Sequence, residues 1–161
     1  MPADFRLQMS LDQGSLRRLA QKLSPAKLAG AMHSGMEESV AWIKHRVVEE
    51  TPVDRGFLRA GITTDIHGVG VGLTGTVFPS PAVAQYASVV EWGRRPGRKM
   101  PPIQVIAEWA RRKGITTPAF VIARSIGRKG IPGKHMFEKA FKASKAPVQR
   151  IFERHFKRWA A

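Results

Sequence analysis

The chain has 161 residues, 43% of them hydrophobic and 8% aromatic, no cysteine, and 27 Lys and Arg against 12 Asp and Glu, a formal net charge of +15. That length and apolar content suit one domain with its own core and exclude disorder throughout. The absence of cysteine excludes disulfides and thiolate metal sites and fits a reducing cytosol; no stretch approaches the roughly 20 apolar residues of a bilayer span, and MPADFRLQMS has no apolar signal core, so neither membrane insertion nor export is expected.

In chain order, FRLQMSL predicts a short strand, followed by a polar turn and helical turns carrying Leu16, Leu19 and Leu23, an N-terminal arm over 1–24. Ser24 before Pro25 is a helix-start signature. Leu28, Met32, Met36, Val40, Ile43 and Val47 then recur at helical spacing, which predicts one amphipathic helix over 25–50, ended by Thr51 and Pro52.

Residues 56–93 change to a β pattern. GFLRAGITTDIHG and VGVGLTGTVFP predict an antiparallel hairpin with its turn near His67 to Gly70, and QYASVVEW a third strand beyond the Pro79/Pro81 break. The fold class expected is α+β: an antiparallel sheet of three to four strands packed against the long N-terminal helix, with additional C-terminal helices.

The remaining part, 94–161, is basic and helical. Pro101 and Pro102 start a helix with Ile103, Ile106, Ala107 and Ala110 inward, closed by Gly114 as a left-handed cap. Thr117 and Pro118 start a second, with Val121, Ile122, Ser125 and Ile126 on one side. RKGIPGK reads as a turn. A C-terminal helix carries Met136, Phe137, Ala140 and Phe141, is kinked or restarted at Pro147, and continues through Ile151, Phe152, Phe156 and Trp159.

Charge is divided along the chain. Residues 1–92 hold nine basic and nine acidic side chains, and residues 93–161 hold 18 and three. The excess begins at GRRPGRKM, where Arg94, Arg95, Arg98 and Lys99 fall within six positions. Such asymmetry points to a polyanionic neighbour, nucleic acid or an acidic protein surface, against the plainer reading of a solvated basic face.

Little in the sequence points to catalysis. GVGLTG satisfies G-x-G-x-x-G but leads on through Thr76, Val77 and Phe78 to proline, where a dinucleotide site needs a helix. The five histidines lack metal-site spacing, and His45 with Glu49 reads as a surface pair one helical turn apart. No serine sits in a nucleophile elbow. Nothing in these residues argues for an enzyme, a cofactor or a metal site. Trp109 and Trp159 extend apolar helix stripes, whereas Trp92, beside the cationic loop, suits packing and partner contact equally.

Three ordered stretches carry a resemblance: ETPVDRGFLRAGI after the long helix, YASVVEWG about 30 residues later, and IARSIGRKGIPGKHMFEKAF. Over roughly residues 26–142 the chain resembles the neck or tail-completion proteins of long-tailed bacteriophages, the group that includes lambda-like minor tail protein Z. The family's P-V-D-T-G-x-L-R pattern falls on Pro52, Val53, Asp54, Gly56, Leu58 and Arg59, with Arg55 in place of threonine; its Y-A-x-x-V-E-x-G-T pattern falls on Tyr86, Ala87, Val90, Glu91 and Gly93, with Arg94 in place of threonine. Its I-P-A-x-P-F ending is matched by Ile131, Pro132 and Phe137.

The resemblance implies a structural virion protein, assembled in the host cytoplasm, that forms a ring in the head-to-tail connector and lets the genome pass. Implied partners are further copies of itself, in a hexamer or alternatively a dodecamer, the head-closure (stopper) and tail-terminator proteins, and genomic double-stranded DNA in the lumen. Arg94, Arg95, Arg98 and Lys99, with Arg111, Arg112 and Lys113, are then expected to line the channel or dock onto an acidic neighbouring ring. Asp54, Gly56, Arg59, Tyr86, Glu91 and Gly93 are expected to serve the fold or subunit contacts, with Gly56 at a positive φ and Arg59 facing Glu91 across adjoining strands or a subunit boundary. Composition by itself also suits a sequence-nonspecific nucleic-acid-binding protein.

Overall fold

Helix α1 (Pro25–Glu50) begins as its sequence predicts, with Ser24 accepting from the Lys27 amide and proline in the first turn. It buries Met32, Met36, Val40, Ile43 and Val47, together with the small residues Ala31, Gly35 and Ser39. The computed structural model describes residues 6–7, 18 and 20–161. It is α+β, with this long helix, two small antiparallel sheets and helices towards the C-terminus. Of the predicted N-terminal arm, Leu16 and Leu19 lie outside the described residues; so does most of FRLQMSL, of which Arg6–Leu7 form strand β1.

After Thr51 comes a one-turn helix α2 (Phe57–Ala60), then strand β2 (Ile62–His67), a 3-10 turn (Gly70–Gly72) and strand β3 (Thr74–Pro79). The hairpin pairs Ile62 with Pro79 through to His67 with Thr74, and β1 pairs with β3 at Arg6↔Thr76 and Leu7↔Gly75. The glycines of GVGLTG therefore serve a hairpin turn and the strand after it. The predicted β character of 56–61 is corrected to the short helix, where the left-handed Gly56 (φ 81°) turns the chain and Leu58 is buried.

The expected third strand, QYASVVEW, is helical: helix α3 spans Ala84–Trp92. Its inward positions, Ala87 and Glu91, lie one helical turn apart, a period that the neighbouring Val89 and Val90 disguise. Ser80 and Pro81 lie in the turn before it, where the Val83 amide donates to the Ser80 carbonyl at 3.0 Å.

Beyond α3 come strand β4 (Gly93–Arg94), helix α4 (Ile103–Arg112), helix α5 (Ala119–Lys129), strand β5 (Ile131–Pro132) and helix α6 (Met136–Ala160). Helix α6 runs unbroken through Pro147, correcting the expected interruption. Proline in a helix interior costs about 3 kcal/mol; here Ala140, Ser144, Val148, Ile151, Phe152 and Phe156, all buried, hold the helix on both sides of it.

The chain divides into two compact units. The first, residues 1–87 with 136–161, is built on α1 and α6, which pair antiparallel with large side chains seated against small ones. The Phe152 ring lies where a Cβ on Gly35 would stand, and Trp159 covers Gly30 in the same way. On another side of α1, Gly75 of β3 packs against Met36 and Val40. Phe137, Phe152, Phe156 and Ile43 are fully buried, each contributing about 1.5–3 kcal/mol.

The second unit, Ser88–His135, contains the last turns of α3, the β4/β5 ladder and the α4–α5 pair. Gly114 (φ 66°) closes α4 as predicted, with the Ile115 amide returning to the Ala110 carbonyl at 2.9 Å. Ile106, Trp109 and Ala110 of α4, and Ile122, Ala123, Ile126 and Gly127 of α5, are the covered positions. Ile103, Ala107, Val121 and Ser125, expected inward, are exposed.

Candidate functional site

The cationic loop is held by a short ladder whose backbone leaves no room for side chains. β4 and β5 pair Gly93 with Pro132 and Arg94 with Ile131. Gly93 (φ 75°) and Gly130 (φ 72°) are both left-handed, and a Cβ on Gly130 would lie 2.1 Å from the Arg94 carbonyl oxygen. The stretch read as a turn, RKGIPGK, is therefore the cradle of the loop. Two further amide bonds, Lys134 to the Val90 carbonyl (2.8 Å) and His135 to the Glu91 carbonyl (3.1 Å), extend it.

Within the loop, Pro96 and Gly97 occupy the centre of a turn, Gly97 with φ 73°, in the order a type II turn takes. Arg95 and Arg98 flank it, and both are exposed, as is Lys99. Arg94 differs from the other three: it is half-buried and donates from Nη2 to the Lys99 carbonyl. Three cations are thus displayed and the fourth closes the loop that displays them.

Arg111, Arg112 and Lys113 are exposed at the C-terminal end of α4. The loop enters that helix at its other end, about 15 Å away along ten residues. Arg111 and Arg112 also lie where cations favour the helix dipole. The cations brought beside the loop are instead Arg128 and Lys129, in the last turn of α5. A Cβ on Gly127 would stand 3.2 Å from the Arg98 carbonyl oxygen, and Gly130 abuts Arg94 to Pro96. Sequence reasoning missed Arg128 and Lys129; the available signal was the run G-R-K-G, with glycines on both sides of the charges.

Charge and apolar surface concentrate in the same unit. Residues 88–135 hold eleven Lys and Arg against two acids. Of thirteen exposed large apolar side chains among the described residues, nine also fall there. Trp92 is packed in part: its ring meets His135 edge-on, centroids 5.9 Å apart, and it is 55% exposed.

The remaining candidates are dispersed. Gly56 has the positive φ expected of it, at the start of α2. Arg59 and Glu91 lie on helices, which corrects their placement on adjoining strands. Arg59 donates from Nε to the Thr51 carbonyl at 2.9 Å, closing the 51–59 loop against the end of α1. Glu91 is buried in α3; Asp54 and Tyr86 are exposed.

Other possible centres carry less. His45 and Glu49 form an exposed pair at 3.2 Å, as predicted. Among the described residues no group of three or more His, Cys, Asp or Glu is placed to hold a metal ion, and no helix is long and apolar enough to cross a membrane. An open cleft of about 330 Å³ is lined by Lys27, Ser34, His155, Arg158, Trp159 and Ala161. Of these, Trp159 packs on Gly30 and His155 bonds Glu38 through Nε2 at 2.8 Å, both between α1 and α6. Comparison of the chain with protein-family models, with curated proteins and with solved structures finds no match in any of the three.

Proposed function

We propose that the chain is a ring subunit of the head-to-tail connector of a long-tailed bacteriophage, a structural virion protein with no catalytic role. Its framework would be the long helix against an antiparallel sheet of three to four strands. The observation that carries the reading is the co-location, within Ser88–His135, of a braced cationic loop and most of the exposed apolar side chains. A protein that only needs solubility spreads its charge and hides its apolar groups. A subunit that assembles around DNA needs both on display.

Arg95, Arg98 and Lys99, with Arg128 and Lys129 beside them, would meet phosphates without reading bases, since a moving genome presents every sequence in turn. The ring multiplies a weak contact into a collar of charge. The same cations would suit an acidic face of a head-closure or tail-terminator neighbour, where complementarity sets register.

The test is assembly and DNA binding measured together on the purified protein. Native mass spectrometry and electron microscopy are expected to show closed rings at high concentration, and duplex DNA to bind the rings far better than the monomer. Absence of rings at every soluble concentration would overturn the proposal. A monomer that binds duplex tightly, with a steep salt dependence, would replace it with a free-standing, sequence-nonspecific nucleic-acid-binding protein.

A further inference from the structure

Trp92, more than half exposed, sits where the backbone on either side of it is tightly held. A Cβ on Gly93 would lie 2.2 Å from the Ile131 carbonyl oxygen, and one on Gly133 would lie 2.3 Å from the Glu91 carbonyl oxygen, so residues 91–93 are pressed against 131–133. His135, the one non-glycine residue with a positive φ (53°) among the described residues, meets the indole edge-on, which covers at most one of its faces. An aromatic ring fixed by its surroundings and left in water loses little freedom when something stacks on it.

What stacks there follows from the neighbours. Ile131 and Pro132 of β5 are exposed, so that with Trp92 the ladder forms a small apolar platform. The charged side chains of this unit that flank it are cations. Lys134, whose amide donates to the Val90 carbonyl, stands at one end; Arg95, Arg98 and Lys99 stand in the loop at the other, with Arg128 and Lys129 before Gly130, and all six are exposed. Of the two acids in the unit, Glu91 is buried and Glu108 lies on α4. Arg95 follows Trp92 by three residues, about 10 Å of extended chain, a separation that one bound strand spans. The occupant therefore carries repeated negative charge with flat apolar faces between. An acidic protein surface offers the charge without the faces, and a duplex offers phosphates with its base faces stacked away. Single-stranded nucleic acid offers both.

We infer that the β4/β5 ladder is a stacking platform for single-stranded nucleic acid: a base lies on the exposed part of the Trp92 ring, Arg95, Arg98 and Lys99 hold phosphates on one side of it, and Lys134 holds one on the other. Such stacking is indifferent to base identity, because every base has a π face. The inference rests on the reading of the cationic loop as a nucleic-acid contact and names the form of nucleic acid that the site prefers.

The experiment measures, by fluorescence anisotropy at one salt concentration, binding of the full-length protein to oligothymidylate, to a duplex of the same length, and to an abasic strand that keeps the phosphates and lacks the bases. Wild type is expected to prefer oligothymidylate to both. Trp92→Ala, checked for wild-type circular dichroism, is expected to weaken oligothymidylate binding about 5- to 150-fold and to remove most of the preference over the abasic strand. Trp92→Phe keeps an aromatic face and is expected to retain most of that preference. Should Trp92→Ala alter the fold, the wild-type comparison of oligothymidylate with the abasic strand decides. Equal affinity for those two strands, a preference for the duplex, or a folded Trp92→Ala variant that keeps the wild-type preference overturns the inference and leaves the phosphate contact of the loop standing. Failure to bind any of the three, with or without capture of polyglutamate, overturns the nucleic-acid reading of the loop itself.

Discussion

Arg94 reaches with Nη2 to the backbone carbonyl of Lys99, five residues on, so that a guanidinium in the cationic loop is spent on the loop's own closure. Arg94→Ala removes one charge-assisted hydrogen bond, about 1–3 kcal/mol locally, without touching the α4–α5 packing. Amide hydrogen exchange across 95–100 is expected to accelerate while the global melting temperature changes little. Arg94→Lys is expected to restore only part of the protection, since an ammonium lacks the planar fork.

Arg95, Arg98 and Lys99 make the opposite prediction. Reversing all three to glutamate is expected to leave exchange and melting at wild-type values and to weaken duplex DNA binding by the assembled protein. The slope of log affinity against log salt is expected to fall by about 0.9 for each phosphate that is no longer neutralised. Fluorescence anisotropy at several salt concentrations measures it, and an unchanged slope means that these residues do not touch the DNA.

Gly130 and Gly97 have nearly the same φ, 72° and 73°, in different surroundings. Gly130 has ψ −165°, a region essentially reserved to glycine, and backbone on one side; nothing lies within 4 Å of a Cβ on Gly97. Gly130→Ala is expected to destabilise by at least about 1–3 kcal/mol, Gly97→Ala by about 1 kcal/mol. Urea denaturation of the two variants measures the difference.

Glu38 joins the two long helices, accepting from Arg154 and facing His155. The Arg154 hydrogen bond, then that of His155, holds its carboxyl below the usual carboxylate range against a small opposing effect of burial. The folded state therefore resists protonation more than the unfolded state. The stability Glu38 contributes is complete above the unfolded value, about 4.3, and is lost as pH falls through the lower folded value. Glu38→Gln is expected to cost no more than about 1 kcal/mol at pH 7, because the group is well exposed, and less at pH 3. Urea midpoints at the two pH values check it.

The long helix, the hairpin and the proline-started helices were legible because each repeats a local signal over several residues. The helix α3 was not: Val89 and Val90 favour a strand, and the helical reading rests on the burial of Ala87 and Glu91, which is tertiary information. The cradle of the cationic loop was hidden for another reason, since a ladder of two residues on each side leaves no periodicity to detect. The charge split located the loop. Which arginine would turn inward depended on a carbonyl five positions away, and the juxtaposition of Arg128 and Lys129 depended on α5 returning past α4.

Helices α1 and α6 bring together residues more than a hundred positions apart, as in the seating of Phe152 on Gly35. During synthesis at about 5–20 residues per second, α1 leaves the ribosome on the order of 5–20 seconds before the aromatic side chains that cover it. The insertion from Ser88 to His135 is made wholly within that interval and closes on its own local interactions. The half of the protein encoded first is thus completed last, and its methionine-lined stripe is the surface a chaperone would meet on the nascent chain.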